Sequence, residues 1–322
     1  MVGNPALTSA KAGSLCDKKG ICMETVSAFV AIVGRPNVGK SSLLNALVGK
    51  KVAIVSDKPQ TTRTRIMGVV TRDKMQLVFL DTPGNHKPRT RLGDFMVRSI
   101  GEAVSGVDVG LLVTEPRAAI RDEEQALLTQ LKQKKVPIVL AINKIDTLTD
   151  KSTLLTCIDA WKQQADFAAI VPVSAMNGDG LEDLLAELAA FTFESPHFFP
   201  ADATSDQTEQ AIAAEVIREK MLQLLRQEIP HGIAVAIERW GERETEKGTI
   251  LDIDAYIYCE RDSHKGMVIG KKGVMLKEIA SRARTELEEL FGTKVNLQCW
   301  VKVKEDWRNR QGFLSGLGYK FD

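Results

Sequence analysis

A glycine-rich segment that ends in lysine and serine offers the clearest chemistry in this chain of 322 residues. It reads GRPNVGKS over residues 34–41, after an apolar run and before a helix-like stretch. The pattern GxxxxGK[ST] predicts a phosphate-binding loop, because glycines let backbone N–H groups turn towards phosphate oxygens and the helix N-terminus adds positive charge. We predict that Lys40 reaches the β- and γ-phosphates and that Ser41 ligates Mg²⁺. The nucleotide-binding residues predicted in this segment are Gly34, Asn37, Val38, Gly39, Lys40, Ser41 and Ser42.

The choice of base is predicted by the sequence NKID at residues 143–146, which directly follows an apolar run. The Asp146 carboxylate can accept hydrogen bonds from guanine N1–H and N2–H₂, whereas adenine would leave it unpaired. Asn143 and Lys144 are predicted to tether the loops and to pack on the base. A later run ends at Ser174, Ala175 and Met176. We expect the backbone amides of that turn to meet guanine O6, so the predicted ligand is GTP or GDP.

The metal site is predicted from a third strand end. The run 75–80 stops at Asp81, and Gly84 lies three residues further on. An acid here can hold Mg²⁺ through water, and the glycine lets the backbone reach the γ-phosphate. In the preceding segment 59–65 (PQTTRTR) we predict that Thr62 completes the metal shell, with Thr61 as the alternative and a plain polar loop as the competing interpretation. The predicted catalytic residues are Lys40, Thr62, Asp81 and Gly84, and the predicted metal ligands are Ser41, Thr62 and Asp81.

Strand-like apolar runs must alternate with helices to bring these loops together. They do so from residue 26 to about residue 190, which predicts an α/β domain with a doubly wound, mainly parallel sheet. We predict a disordered extension or tag at 1–23, this domain at 24–192, a linker at 193–207 and an α+β domain at 208–322. Lys plus Arg number 43 against 42 for Asp plus Glu, so a nucleic-acid surface would have to be a local patch.

A second glycine motif lies in the C-terminal region. Gly270-Lys271-Lys272-Gly273 follows Ile269 and opens a helix, and GxxG between two helices lets a nucleic-acid backbone approach closely. The element order helix, strand, strand, GxxG, helix, strand matches a type II KH domain, which clamps about four nucleotides with this loop. Between residues 265 and 310 there are eleven basic and six acidic residues. The predicted RNA-binding residues are Ile269, Gly270, Lys271, Lys272 and Gly273.

Taken in order, these motifs resemble the Era family of bacterial ribosome-assembly GTPases. The resemblance rests on PN within the phosphate loop, QTTR at 60–63, DTPG at 81–84, NKID at 143–146 and SAM at 174–176. It extends to EIPH at 228–231, ERDSHKG at 260–266 and WVKVKEDWR at 300–308. It covers roughly residues 24–318, and it implies a P-loop GTPase domain followed by a type II KH domain.

The resemblance also has departures that bear on mechanism. Many small GTPases orient the attacking water with Gln after the DxxG glycine, and Era-like proteins usually carry an apolar residue there; this chain has Asn85. Related GTPases that lack that Gln use a potassium ion held partly by the phosphate-loop Asn, which is Asn37 here. Potassium is therefore a further cofactor that we expect beside GTP, GDP and Mg²⁺. Arg63 and Arg65 are expected to be solvated, and intrinsic hydrolysis is expected to be slow.

The family likeness implies a cytoplasmic monomer that binds small-subunit ribosomal RNA near its 3′ end and acts in small-subunit assembly. An assembly factor or checkpoint GTPase with another structured RNA target, and with peripheral contact at the inner face of the cell membrane, is the alternative. Three other classes stay open: an RNA-binding protein with a vestigial nucleotide site, a tRNA-modification GTPase and a membrane-linked signalling GTPase. Intact Lys40, Ser41, Asp81 and Asp146 argue against the first of these.

Overall fold

Two β-sheets organise the chain. The computed structural model describes residues 25–56, 58, 61–63, 65–81, 91–92, 106–150, 152–225, 232–246 and 248–319. We call the part built on the first sheet the seven-stranded unit and the part built on the second sheet the three-stranded unit. None of the helices in these residues is both long and apolar enough to cross a membrane.

Strand burial in the seven-stranded unit follows the apolar runs of the sequence. Every residue of β4 and of β5 is buried, as expected for strands covered by helices on both faces. The strands are β1 (Val26–Gly34), β2 (Ile66–Arg72), β3 (Met75–Asp81), β4 (Val109–Thr114), β5 (Ile138–Ile142), β6 (Ala169–Pro172) and β7 (Phe193–Glu194).

The strand order places the predicted site residues at one edge of the sheet. The order is β2-β3-β1-β4-β5-β6, with β7 paired to the start of β1. All neighbours are parallel except β2 with β3 and β7 with β1. The carboxyl ends of β1, β3, β5 and β6 therefore lie together, which is where ligands bind in open α/β sheets. The predicted doubly wound, mainly parallel sheet is confirmed.

Helices cover both faces of this sheet. Leu43, Leu44 and Leu47 of the first helix pack in one core cluster, whereas Leu127, Leu128 and Leu131 of the second pack in another. The helices described in this unit are α1 (Lys40–Val48), α2 (Asp122–Lys134), α3 (Ser152–Lys162) and α4 (Leu181–Ala189). Residues 94–104, where the sequence pattern also favours a helix, lie outside the described residues.

The segment after α4 is bound to the sheet rather than loose. Its first residues form β7, and Val69 N–H donates to the Thr204 carbonyl at 3.0 Å. The buried Gln76 side chain holds the middle of the segment: Oε1 accepts the N–H groups of Phe198 (2.8 Å) and Phe199 (3.0 Å), and Nε2 donates to the Phe199 carbonyl at 2.9 Å. The predicted linker therefore has a fixed path along β2 and β3.

The three-stranded unit has the element order that the sequence predicted. Its sheet runs β10-β9-β8, with β9 parallel to β10 and antiparallel to β8. The helices pack on one face of this sheet around Ile253, Ala255 and Ile257. The elements are α5 (Glu209–Leu224), β8 (Ile233–Thr245), β9 (Gly248–Cys259), α6 (Asp262–Ile269), α7 (Val274–Phe291), β10 (Lys294–Val303) and α8 (Gln311–Gly316).

We predict that replacement of Gln76 by leucine destabilises the protein. Leucine fills a similar volume but leaves up to three backbone groups of the linker without their partner, which should cost about 2 kcal/mol or more in the free energy of unfolding. Denaturant unfolding of the variant measures this cost. Gln163→Leu, at an exposed position, is the matched control. Equal unfolding midpoints for the two variants would contradict the anchoring role of Gln76.

Candidate nucleotide site and RNA-binding loop

The phosphate-loop motif lies between β1 and α1, and its second glycine is required by its surroundings. Gly39 has φ +93°, a left-handed conformation that side chains disfavour. A Cβ there would lie 2.4 Å from Asn143 Nδ2. Glycine therefore allows the loop and the Asn143 side chain to touch.

Asn143 joins three loops. Its Nδ2 donates to the Val38 carbonyl at 2.9 Å, and its Oδ1 accepts the Ala175 N–H at 3.1 Å. The side chain is buried. The tethering role expected from the NKID motif is therefore present: one carboxamide fixes the phosphate loop relative to the turn after β6.

Lys40 keeps its ammonium group inside the phosphate loop. Nζ donates to the carbonyls of Gly34 (3.0 Å) and Arg35 (2.9 Å). Burial lowers the pKa of Lys40 to about 8; the Asp81 carboxylate opposes this shift and Arg35 adds to it. A buried cation with few charged partners is stabilised by an incoming anion, so this lysine is placed to receive phosphate oxygens.

Three oxygens converge below the loop from three separate elements. Ser41 Oγ donates to Asp81 Oδ2 at 2.8 Å and lies 2.9 Å from Thr62 Oγ1, which is 3.4 Å from the same carboxylate oxygen. Asp81 and Thr62 are buried. Mg²⁺ prefers hard oxygen ligands and is usually held by one or two carboxylates with hydroxyls and waters, so these three residues fit that ion.

The structure distinguishes the two threonines of the QTTR segment. Thr61 Oγ1 donates to the Lys58 carbonyl at 2.6 Å, whereas Thr62 faces Ser41 and Asp81. Thr62 is therefore the better placed of the two for a metal. Gly84 and Asn85 lie outside the described residues.

The expectation that Arg63 is solvated is wrong. Only 3% of Arg63 is exposed, and its Nη1 donates to the Ile233 carbonyl of β8 at 2.6 Å. Arg65, two residues further on, is exposed as expected. The sequence carries no signal for this difference, because Ile233, which accepts the hydrogen bond of Arg63, is 170 residues away in the chain.

A cleft of about 710 Å³ opens beside the phosphate loop, large enough for a nucleoside. Asp146 lies at its exposed edge, and Ser174 Oγ donates to Asp146 Oδ1 at 2.6 Å. Met176 is 85% exposed. The predicted site residues that line the cleft are Gly39, Ser42, Asn143, Lys144, Asp146, Ala175 and Met176.

Glu115 is a residue of this region that the motifs did not reveal. Lys144 Nζ donates to Glu115 Oε1 at 2.5 Å and to the Asn37 carbonyl at 2.6 Å. Burial alone would raise the pKa of Glu115, but the hydrogen bond and charge of Lys144 outweigh it and hold that pKa below its usual value. Lys144 is thereby fixed across the mouth of the base cleft. The position of Glu115 just after β4, at the same sheet edge, is the signal that could have found it.

The GxxG motif forms a tight connection between α6 and α7. Gly270 has φ +72°, and a Cβ there would lie 2.7 Å from the Met275 Cβ. Lys271 and Lys272 are exposed at the tip, and Ile269 is half-buried behind them. Gly273 has φ +78° and directly precedes α7. The loop therefore presents two ammonium groups and a bare backbone at a helix N-terminus, which suits a phosphodiester chain.

The two tryptophans of the segment WVKVKEDWR differ in burial. Both are predicted to pack in the protein rather than to stack on bases. Trp307 is fully buried, and its Nε1 donates to the Gly232 carbonyl at 3.0 Å. Trp300 is 40% exposed on the outer face of the three-stranded sheet, where its ring centroid lies 5.5 Å from that of Tyr256. The predicted packing role therefore fits Trp307, whereas the Trp300 ring is packed against Tyr256 and still partly exposed.

Two family models match the chain, one in each unit. Residues 29–144 match a family described as 50S ribosome-binding GTPase, and residues 228–308 match the KH domain. The chain is 48% identical to GTPase Era of Ruminiclostridium cellulolyticum over 92% of this chain and 99% of that protein. It is 48% identical to GTPase Era of Clostridioides difficile over 91% of this chain and 98% of that protein.

Solved structures give the same result in three dimensions. A variant of Aquifex aeolicus Era bound to GDP and AlF4⁻ matches with a TM-score of 0.87 and 37% identity, over 92% of this chain and 100% of that one. A structure of Era in complex with MgGDPNP and nucleotides 1506–1542 of 16S ribosomal RNA matches with the same TM-score, identity and coverage.

We predict that Asp146→Asn changes the preferred base. The amide replaces an acceptor by a donor opposite the guanine N2 amino group, so affinity for GDP should fall by about 100-fold or more, whereas xanthine, with a carbonyl at that position, should bind better than guanine. Competition binding with GDP, XDP and ADP measures this change. Asp150→Asn, four residues away and outside the cleft, serves as the control. An unchanged preference for GDP in the Asp146 variant would remove Asp146 from base recognition.

Proposed function

Because this chain belongs to the Era family of GTPases, we propose that it binds small-subunit ribosomal RNA near the 3′ end through its three-stranded unit and acts in assembly of the small ribosomal subunit. The observation that carries the proposal is the presence of both sites in one chain: an intact guanine-nucleotide site and an exposed GxxG loop with two lysines. The similar Era structure in complex with a 16S ribosomal RNA fragment supports the choice of RNA.

We assign the chemistry of GTP hydrolysis to the seven-stranded unit. Lys40 and the backbone N–H groups of residues 34–42, Pro36 excepted, hold the β- and γ-phosphates, and Asp146 with the turn 174–176 selects guanine. Ser41, Thr62 and Asp81 would hold Mg²⁺, which would neutralise negative charge on the triphosphate. Gly84 completes the proposed catalytic set. Of these three residues, Thr62 is the one whose position would depend on the γ-phosphate, because it lies in the loop between α1 and β2.

We propose that a potassium ion stimulates hydrolysis. Asn37 lines the same small cleft as Lys40, Ser41 and Thr62, so an ion held by its side chain would lie beside the reacting phosphates. A second cation there would neutralise the charge that develops during phosphoryl transfer.

Turnover of the wild-type protein is expected to be at least several-fold faster in potassium than in sodium at equal ionic strength. Asn37→Ala should abolish that difference, because the variant lacks the oxygen that would hold the ion. GDP affinity of the same variant is the control for the integrity of the loop. Equal wild-type turnover in the two salts would remove potassium from the mechanism.

We also propose a division of the chain. Residues 24–192 are the GTPase domain, 193–207 the linker, 208–322 the KH domain and 1–23 an extension or tag. We propose further that the protein acts as a monomer in the cytoplasm; the free thiols of Cys157, Cys259 and Cys299 agree with such a reducing compartment. Peripheral contact with the inner face of the membrane is a separate proposal, which flotation with anionic vesicles would test.

The RNA assignment is tested by a double substitution, Lys271→Glu with Lys272→Glu. Loss of two positive charges and gain of two negative ones at the loop tip should weaken binding to a small-subunit 3′-end RNA by 100-fold or more at about 0.1 M salt. The matched control is Lys132→Glu with Lys134→Glu, on the exposed side of α2. GTP turnover of the isolated protein should stay unchanged in both variants.

The identity of the RNA is read from the same assay. Tight binding to the 3′-end fragment supports the proposal if it is competed by unlabelled RNA that contains the same sequence and not by RNA that lacks it. Crosslinking in cells that recovers a different structured RNA would favour the alternative assembly or checkpoint role, and reads scattered over messenger RNA would overturn the ribosome assignment.

A further inference from the structure

The residue after Thr62 is held by the KH domain. Arg63 Nη1 donates to the Ile233 carbonyl, the guanidinium carbon lies 5.7 Å from the centre of the Trp307 ring, and the side chain is hydrogen-bonded to Tyr319. Backbone, aromatic face and hydroxyl thus surround one guanidinium group. All three partners belong to the three-stranded unit or to its C-terminal segment, so the GTPase domain contributes the cation and the KH domain contributes its cage.

The residue before Thr62 is held by the KH domain as well. Arg218 of α5 donates through Nη2 to the Thr61 carbonyl. Glu215, one turn earlier on the helix, fixes this guanidinium through bonds of 2.8 Å to Nε and 2.5 Å to Nη2. Arg218 is 2% exposed. A planar guanidinium held from behind by a carboxylate is a rigid donor, because few of its rotamers remain accessible.

The start of the same loop carries a third attachment. Glu219 of α5 accepts the Val55 N–H at 2.8 Å and the Lys51 ammonium at 2.5 Å. Lys220 and Glu286 complete this group of charges, with Glu286 bonded to both lysines. The loop between α1 and β2 is therefore bound to α5 near its beginning and at Thr61, just before Thr62. Just after Thr62, at Arg63, it is bound to β8 and to the C-terminal residues Trp307 and Tyr319.

This arrangement is not the default for two arginines. Burial removes each guanidinium from water, and the two charges repel each other. Burial and the Arg218 charge hold the pKa of Arg63 below its usual value, whereas for Arg218 burial is outweighed by the charge and hydrogen bonds of Glu215, which raise the pKa. Exposed positions would avoid both costs. The burial becomes useful if the backbone of Thr61 and the side chain of Arg63 must stay in fixed positions. Thr62, the residue between them, supplies one of the three oxygens that would hold Mg²⁺.

We propose that Arg63 and Arg218 are positioning residues that hold Thr62 against the Mg²⁺ site, so that tight binding of the γ-phosphate requires the KH domain to be docked on the loop. GDP binding does not need Thr62, since loops of this kind are ordered by contacts to the γ-phosphate and its metal. By linkage, a triphosphate that favours the held loop favours the docked KH domain by the same factor. The inference rests on the metal role of Thr62 proposed above.

The test compares two nucleotides on the full chain. Dissociation constants for GDP and for GDPNP are measured with Mg²⁺ for the wild type, Arg63→Ala and Arg218→Ala. Each substitution should weaken GDPNP binding about tenfold or more and change GDP binding by less than about twofold. The magnesium concentration that half-saturates GDPNP binding should rise in parallel, an effect that a merely destabilised protein would not show.

Matched variants separate position from stability. Arg65→Ala removes an exposed arginine two residues away and should leave both constants unchanged. Arg63→Lys should recover part of the GDPNP affinity, because it keeps the charge in the cage without the planar fork. If Arg63→Ala does not fold, Tyr319→Phe removes one hydrogen bond from the cage and should produce a smaller loss in the same direction.

The outcomes distinguish the inference from the function on which it rests. Equal losses for GDP and GDPNP, or no loss for either, in variants that fold would overturn the positioning role while the GTPase assignment stands. If GDPNP binding by the wild type were independent of magnesium, the metal role of Thr62 itself would fail. Unchanged GDPNP affinity in the arginine variants would show that the KH domain does not hold the loop.

Discussion

The contact between the Asn143 carboxamide and the phosphate loop is the constraint on which the nucleotide site depends. One side chain bonds the Val38 carbonyl and the Ala175 N–H, and it lies so close to Gly39 that a Cβ there would collide with it. The loops after β1, β5 and β6 are therefore fixed as one body. Phosphate recognition and base recognition share this body, so the distance between them is set by the sheet rather than by flexible loops.

The proposed Mg²⁺ site is a second place where residues from separate elements meet. Ser41 lies in the first turn of α1, Asp81 is the last residue of β3, and Thr62 lies in the loop between α1 and β2. Their side-chain oxygens nevertheless lie within hydrogen-bond distance of one another. Ser41 and Asp81 are positioned by rigid elements, a helix that packs on the sheet and a strand within it. The third is set by a loop, and a loop needs other contacts to keep one conformation.

Those other contacts come from the second domain. Arg63 and Arg218 are buried at the boundary between the two units, and each binds a backbone carbonyl across it. Buried charges of this kind gain little net stability, because desolvation offsets most of the attraction. They do impose one geometry, since a guanidinium without its carbonyl would have a buried N–H group left unpaired. The two arginine contacts therefore fix the position of the loop between α1 and β2 more than they add to the stability of the fold.

The sequence by itself determined the parts whose physics is local. Glycines, a lysine and a serine between a strand and a helix dictate a phosphate loop; buried apolar runs that alternate with helices dictate a parallel sheet; GxxG before α7 dictates a bare, basic turn. Each of these follows from residues close together in the chain. The order of the strands then brings Asp81, Asn143 and Ser174 to one edge, which is why most of the site was predictable.

Only the tertiary structure decided which polar residues are buried. Arg63 and Arg65 are two residues apart in the same polar segment, yet one lies in a cage of Ile233, Trp307 and Tyr319 and the other is exposed. Trp300 and Trp307 divide in the same way. Exposure depends on which distant surface covers a residue, and a single sequence does not encode that surface locally. The short range of hydrogen bonds and packing forces makes these contacts visible only once the two units have been placed together.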